Sequence, residues 1–202
     1  MIDTIKCIDN FFPKLLHKTI INSVLSGGTI WHYQPTVSYS KKDADQKAIK
    51  LMEGWRNNNN IMDAEAFVTN LEDNEEFRET LKKNFISFAK EKFDADINEI
   101  LRFALVYIPP NPNYCKNSFL YPHVDTPIKH RNILYYLNDN DADTIFFDQY
   151  FTDIETVEHR KLNVSHRVTP KENRAIMFDG HIFHAGNVSQ FNKRITLNVT
   201  FV

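Results

Sequence analysis

From Lys193 to Phe201 the chain alternates without a slip. Ile195, Leu197, Val199 and Phe201 fall on one side, and Arg194, Thr196, Asn198 and Thr200 on the other. Only an extended strand separates side chains with a period of two, so this segment is not an amphipathic helix. The same period marks Leu101–Ile108, Asn132–Leu137, Thr144–Asp148, Val164–Val168 and Arg174–Phe178, with turn-forming clusters between them. Up to about residue 96 the texture is helical instead. Pro13 suits a first helical position, Leu16, Ile20 and Val24 recur every four residues, and Gly27-Gly28 stops the run. Ala44, Ala48, Leu51 and Trp55 form a second apolar stripe, and the run 57–60 is a polar loop. Asp63 is placed to cap a short helix carrying Phe67 and Leu71. Glu75 to Phe93 reads as a long helix with Phe77, Leu81, Phe85 and Phe88 on one face, a spacing that packs against a sheet.

Helices first and a run of short antiparallel strands afterwards predict an α+β fold. Its core is a double-stranded β-helix of jelly-roll or cupin-like type, with the N-terminal helices packed on one sheet. At 202 residues, 42% of them hydrophobic, the chain is long enough for one sizeable core. A single domain over 1–202 is expected, with 1–96 as helical support and 97–202 as the jelly roll. In such a core the alternation of the last strand puts Arg194 and Thr196 into a polar interior, while helices cover the apolar side.

The function classes narrow quickly. With 24 basic and 26 acidic residues the net charge is −2, which gives no electrostatic basis for a nucleic-acid or membrane-surface partner. The two cysteines, Cys7 and Cys115, do not make a disulfide framework. The opening residues lack the basic and apolar regions of a signal peptide, and no apolar run is long enough to span a bilayer. A cytoplasmic location is the expectation.

Chemistry concentrates in the second half. Tyr121–Asp125 reads Y-P-H-V-D, and His184 follows in F-H-A-G with Arg194 ten residues later. A His and an Asp two apart in an extended segment point the same way, so His123 and Asp125 can reach one ion. A second His from another strand completes a 2-His-1-carboxylate set, the ligand pattern of non-haem iron(II) oxygenases, with one octahedral face left open. The G-H-I-F-H run offers both His181 and His184 as that ligand, and the spacing to Arg194 favours His184. Asp179, beside Gly180, reads as a turn former. His17, His32, His130, His159 and His166 have no companion pattern and read as structural.

Four segments together, H-V-D-T-P, R-N-I-L-Y-Y-L-N-D, F-D-G-H-I-F-H-A-G and K-R-I-T-L-N-V-T-F, resemble the prolyl-4-hydroxylase-like branch of the 2-oxoglutarate and iron(II)-dependent dioxygenases in order and spacing. The resemblance covers roughly residues 100–202. It implies an oxidoreductase using Fe(II), 2-oxoglutarate and O2, with His123, Asp125 and His184 as catalytic metal ligands. It also implies Arg194 on the far carboxylate of 2-oxoglutarate, assisted by Thr196 and Tyr136, with Tyr107 near the same co-substrate. Arg131 aligns with a substrate-side arginine of some relatives. One departure is Ile-Pro-Pro after Tyr107, where relatives commonly have Pro-Gly, so the 109–120 loop at the substrate entrance is expected to differ.

The resulting expectation is hydroxylation of an aliphatic C–H in an amino-acid side chain, peptide or small molecule, giving succinate and CO2. The presence of Asp125 argues against a halogenase. Two further readings stand beside it. One is a metal-dependent cupin-like hydrolase or isomerase, which leaves Arg194, Thr196 and Tyr136 without a task. The other is a non-catalytic jelly-roll binding protein. Fold and cofactor site do not specify the substrate.

Overall fold

The computed structural model describes residues 5–37, 61–114, 118–151 and 163–202. Among these residues, ten strands and two helices follow in the order β1 (Lys6–Ile8), α1 (Lys14–Leu25), β2 (His32–Gln34), β3 (Ala66–Thr69), α2 (Glu75–Phe93), β4 (Ile100–Ile108), β5 (Arg131–Tyr136), β6 (Thr144–Tyr150), β7 (Val164–Val168), β8 (Arg174–Asp179), β9 (Ile182–Gly186) and β10 (Arg194–Phe201). Two antiparallel sheets result: a large one ordered β1-β8-β5-β10-β4-β3-β2 and a small one ordered β7-β6-β9. The segment before β5 joins the small sheet through one bridge, His123 opposite His184. This is the jelly-roll core that the alternating strands predict.

The long helix α2 begins and ends where its sequence dictates. Asn74 caps it by accepting from the Phe77 amide at 3.2 Å, and Glu75 and Glu76 in the first turn suit the positive end of the helix dipole. Lys90 and Lys92 occupy the last turn, and Asp94, left-handed at φ 53°, returns its N–H to the carbonyls of Ala89 and Lys90. The buried stripe of α2, Leu81, Phe85, Ala89 and Phe93, packs with Ile20 and Val24 of α1 onto the apolar face of the large sheet. On that face lie Ile195, Leu197, Val199 and Phe201 of β10, flanked by Leu105 of β4 and Tyr135 of β5. The polar alternates of β10 therefore point into the sandwich.

Three expectations change. Pro13 is the N-cap of α1 rather than its first helical residue, its carbonyl accepting from His17 N. Ala66–Thr69 is a strand, not part of a capped helix: Phe67 pairs with Tyr107 and Val68 with Val106, and a β-branched, aromatic run held between β4 and β2 outweighs the four-residue spacing of Phe67 and Leu71. Asp63 instead accepts from the neighbouring Ala64 amide. The stripe from Ala44 to Trp55, the run 57–60, Cys115 and His159 lie outside the described residues.

His17 has the structural role expected of it. It is buried under α1, with Nδ1 hydrogen-bonded to the Tyr135 hydroxyl and Nε2 at 3.1 Å from Glu172. Among the described residues, no helix is long and apolar enough to cross a membrane.

Candidate metal and co-substrate site

β9 and the extended segment ending at Asp125 run side by side, so that His123 and His184 exchange backbone hydrogen bonds at 2.9 and 3.0 Å. Their rings lie 4.6 Å apart, centroid to centroid. Asp125 joins them, with Oδ2 at 3.6 Å from His184 Nε2, and one ligand atom from each of the three lies within 4.8 Å of the others. Such a cluster is the right size to hold one ion.

The two imidazoles are oriented by the same device. His123 Nδ1 lies 2.9 Å from the carbonyl of Tyr121, and His184 Nδ1 lies 3.1 Å from that of Ile182. A carbonyl only accepts, so each Nδ1 carries the proton and each Nε2 presents its lone pair to the cluster. His184 packs on Phe178 and Phe146. Its burial, reinforced by His123, depresses its pKa to about 4 against the pull of Asp125. At neutral pH it is therefore an uncharged imidazole, free to offer a lone pair to an ion. Burial alone would raise the Asp125 carboxyl, but the positive fields of His184, His123, Arg102 and His130 outweigh it, and the net direction is down. Asp125 Oδ2 accepts from Asn132 Nδ2 at 2.7 Å, and Oδ1 is 3.3 Å from Arg102 Nη1. Two imidazole nitrogens and a fixed carboxylate fit iron(II), and equally a related divalent ion.

The cluster opens into a cavity of about 280 Å³ between the sheets. Arg194 stands in its wall, 6% exposed. Its Nη2 donates to Thr144 Oγ1 at 2.9 Å, its guanidinium carbon sits 5.8 Å from the centre of the Tyr136 ring, and its Nε has no partner. No described carboxylate pairs with it. Burial pulls its pKa down and the neighbouring Tyr136 holds it up. A charge taken out of water this far is costly unless an anion meets it.

The remaining sequence-predicted residues divide. Thr196 is fully buried on the inward face of β10 and its Oγ1 is unpartnered, but unlike Arg194 and Asn198 it does not line the cavity. Tyr136 is fully buried too, and burial raises its pKa to about 12. Its hydroxyl meets Thr144 Oγ1 at 2.7 Å, so Thr144 stands between tyrosine and cavity. Tyr107 is a correction. It pairs with Ile195, shares that residue's outward face, and packs on Trp31 and Phe67 under the helices. Its neighbours Val106 and Ile108 face the cavity instead. Arg131 is exposed and does not line the cavity. From the 109–120 loop Leu120 lines the cavity, as do Gln34, Thr36 and Val68 from the N-terminal half, whereas Pro109, Pro110 and Asn111 border a separate depression. Sequence reading missed Thr144, Arg102 and Asn132, which no spacing along the chain singles out.

His181 turns elsewhere, its Nε2 at 3.0 Å from the Ile128 carbonyl. Asp179 does form the expected turn, accepting from His181 N at 2.9 Å. Gly180 between them is obligatory for a different reason: a Cβ there would lie 2.0 Å from Nε2 of the buried His130 ring, whose Nδ1 is held by Ile128 O at 2.7 Å. Gly180→Ala is expected to cost about 1–3 kcal/mol, read as a lowered midpoint in denaturant unfolding.

With this geometry the likeness to known proteins can be weighed. No protein-family model matches the chain, and no curated protein does. Solved structures do. A prolyl hydroxylase from Trichoplax adhaerens, in complex with a hypoxia inducible factor peptide fragment, is 13% identical, with a TM-score of 0.58 over 98% of this chain and 83% of its own. The chain has the fold of the 2-oxoglutarate and iron(II) oxygenases. An oxidoreductase of the 2OG-Fe(II) oxygenase family from Burkholderia pseudomallei matches at 14% identity and TM-score 0.59, over 98% of this chain and 84% of its own. The non-haem α-ketoglutarate-dependent epimerase SnoN, from nogalamycin biosynthesis, reaches 0.63 at 8% identity, over all of this chain and 79% of its own. This oxygenase fold thus hosts hydroxylation in one relative and epimerisation in another, so the chemistry of this chain must be argued from its site.

Proposed function

We propose that the protein is an Fe(II)- and 2-oxoglutarate-dependent oxygenase that hydroxylates an aliphatic C–H. The observation that carries this reading is the buried Arg194, without a described ion pair, in the wall of a cavity that also holds the His123, Asp125 and His184 cluster. A metal-dependent hydrolase needs the cluster but has no use for that arginine.

His123, Asp125 and His184 would hold the iron, and bound iron would supply the oxygen chemistry in which 2-oxoglutarate and O2 become succinate and CO2 while the substrate gains a hydroxyl. Arg194 would receive the far carboxylate of 2-oxoglutarate through its guanidinium fork. Thr144 keeps the fork aimed, and the unpartnered Thr196 hydroxyl stands two residues on along the same face of β10. Asn132 and Arg102 steady the Asp125 carboxylate, as outer partners of metal ligands do. Phe178, Leu120 and Val106 supply the apolar walls that keep water from the reacting centre.

Anaerobic titration of Fe(II) and 2-oxoglutarate into the protein tests the reading. A weak visible charge-transfer band is expected only when both are present, together with succinate formation once air is admitted. Bound metal without that band, or succinate independent of iron, would overturn the proposal.

A further inference from the structure

The polar face of β10 has two ends. Arg194, at the start of the strand, is turned to Thr144. Thr200, six residues on and roughly 20 Å along a strand, sits opposite Asn132 of β5 on one side and Arg102 of β4 on the other. Asp125 lies across this second row, touching Asn132 at 2.7 Å and Arg102 at 3.3 Å. One small diacid cannot engage Arg194 and Arg102 together. If 2-oxoglutarate takes the Arg194 end, the Arg102 end is free for the substrate.

The groups at that end have a definite polarity. Arg102 is 42% exposed, and its one described hydrogen bond, to Asp125, leaves most of its donor fork uncommitted. Asn132 is 4% exposed, and its orientation is fixed because only its NH2 group can face the Asp125 carboxylate. Its Oδ1 is therefore turned away from Asp125, and it has no partner. Asn198 Oδ1, on the same face of β10 and also lining the cavity, is buried and unpartnered as well. One cationic fork and two amide acceptors complement a molecule with a carboxylate and N–H donors. Among the described residues, Asp125 is the one carboxylate that lines the cavity. The volume of about 280 Å³, small for a ligand pocket, restricts what can enter beside the co-substrate.

We propose that Arg102, Asn132 and Asn198 recognise a free α-amino acid, its carboxylate on the Arg102 guanidinium and its ammonium on the two amide oxygens. This rests on the oxygenase reading only for leaving the Arg102 end open. An internal peptide residue has no free carboxylate or ammonium to offer there, so a peptide occupant is the contrary outcome.

The test uses protein loaded anaerobically with Mn(II) and 2-oxoglutarate. The standard L-amino acids are titrated calorimetrically, then each binder's C-terminal amide, its N-acetyl derivative and a doubly capped peptide containing it. At least one free amino acid is expected to bind, with its amide weaker by about tenfold or more. Arg102→Gln also loses a contact to Asp125, so its metal affinity should fall by about 10–100-fold. At Mn(II) concentrations raised to saturate it, it should bind 2-oxoglutarate but treat acid and amide alike, and Arg102→Lys should restore part of the preference. No binding by any free amino acid, equal binding by a capped peptide, or an acid preference unchanged in Arg102→Gln would each overturn the inference while leaving the oxygenase reading intact. Failure of Mn(II) and 2-oxoglutarate themselves to bind would overturn both.

Discussion

Replacing His184 with alanine is expected to weaken divalent metal binding by at least ~100-fold, because losing even an outer hydrogen-bond partner of a ligand costs 10–100-fold. His181→Ala is the matched control, three residues earlier in the same G-H-I-F-H run. His181 Nε2 faces the carbonyls of Pro127 and Ile128 at 3.2 and 3.0 Å, so its loss should leave metal affinity within about threefold. Calorimetric titration of Mn(II) or Fe(II) without oxygen reads both variants. Equal effects of the two would sink the assignment of His184. A second readout follows from protonation in the metal-free protein. His184 has an ordinary pKa of 6.5 in the unfolded chain and about 4 when folded, so the unfolded state binds the extra proton first. Its contribution to stability is present above 6.5 and lost as pH falls through about 4. Unfolding curves across that window should show a smaller acid-side loss in His184→Ala than in the wild type.

Much of this arrangement was legible in the chain, and the exceptions share a cause. The face of β10 was readable because Ile195 to Phe201 alternate strictly, and α2 because its aromatic stripe, acidic start and basic end agree. The nearness of His123 and Asp125 follows from a two-residue step, and that of His184 and Arg194 to the same cavity from strand order. What could not be read was set across strands. β1 and β2 are three residues each and are defined by the strands they join, and β9 is buried at four consecutive residues, Ile182 to Ala185, so it carries no alternation. Arg102 and Asn132 matter because both stand opposite Thr200, a register no one-dimensional pattern contains. Tyr107 was misplaced for the same reason. Leu101–Ile108 is apolar on both faces for much of its length, and only the pairing of Tyr107 with Ile195 decides which parity faces the cavity.

Arg194→Ala is expected to raise the 2-oxoglutarate requirement roughly thirty-fold to several thousand-fold, since truncating one partner of a buried, hydrogen-bonded charge pair costs about 2–5 kcal/mol. The stability of the ligand-free variant separates a binding role from a structural one. Burial outweighs the help of Tyr136 and of the more distant Asp143, so the buried guanidinium, with no described ion pair, is itself a burden on the ligand-free fold. Removing it should leave the thermal midpoint unchanged or slightly higher, and should abolish the rise in midpoint that 2-oxoglutarate gives the wild type. A structural arginine would do the opposite, lowering the ligand-free midpoint and keeping the ligand-induced rise. Arg194→Lys keeps the charge but not the fork, so its affinity should lie between the two. Tyr136→Phe should cost far less than Arg194→Ala, because the Tyr136 hydroxyl meets Thr144 and does not line the cavity. If Tyr136→Phe and Arg194→Ala were equally damaging, the carboxylate would be held by the hydroxyl chain from Tyr136 through Thr144, and the fork would not be the anchor.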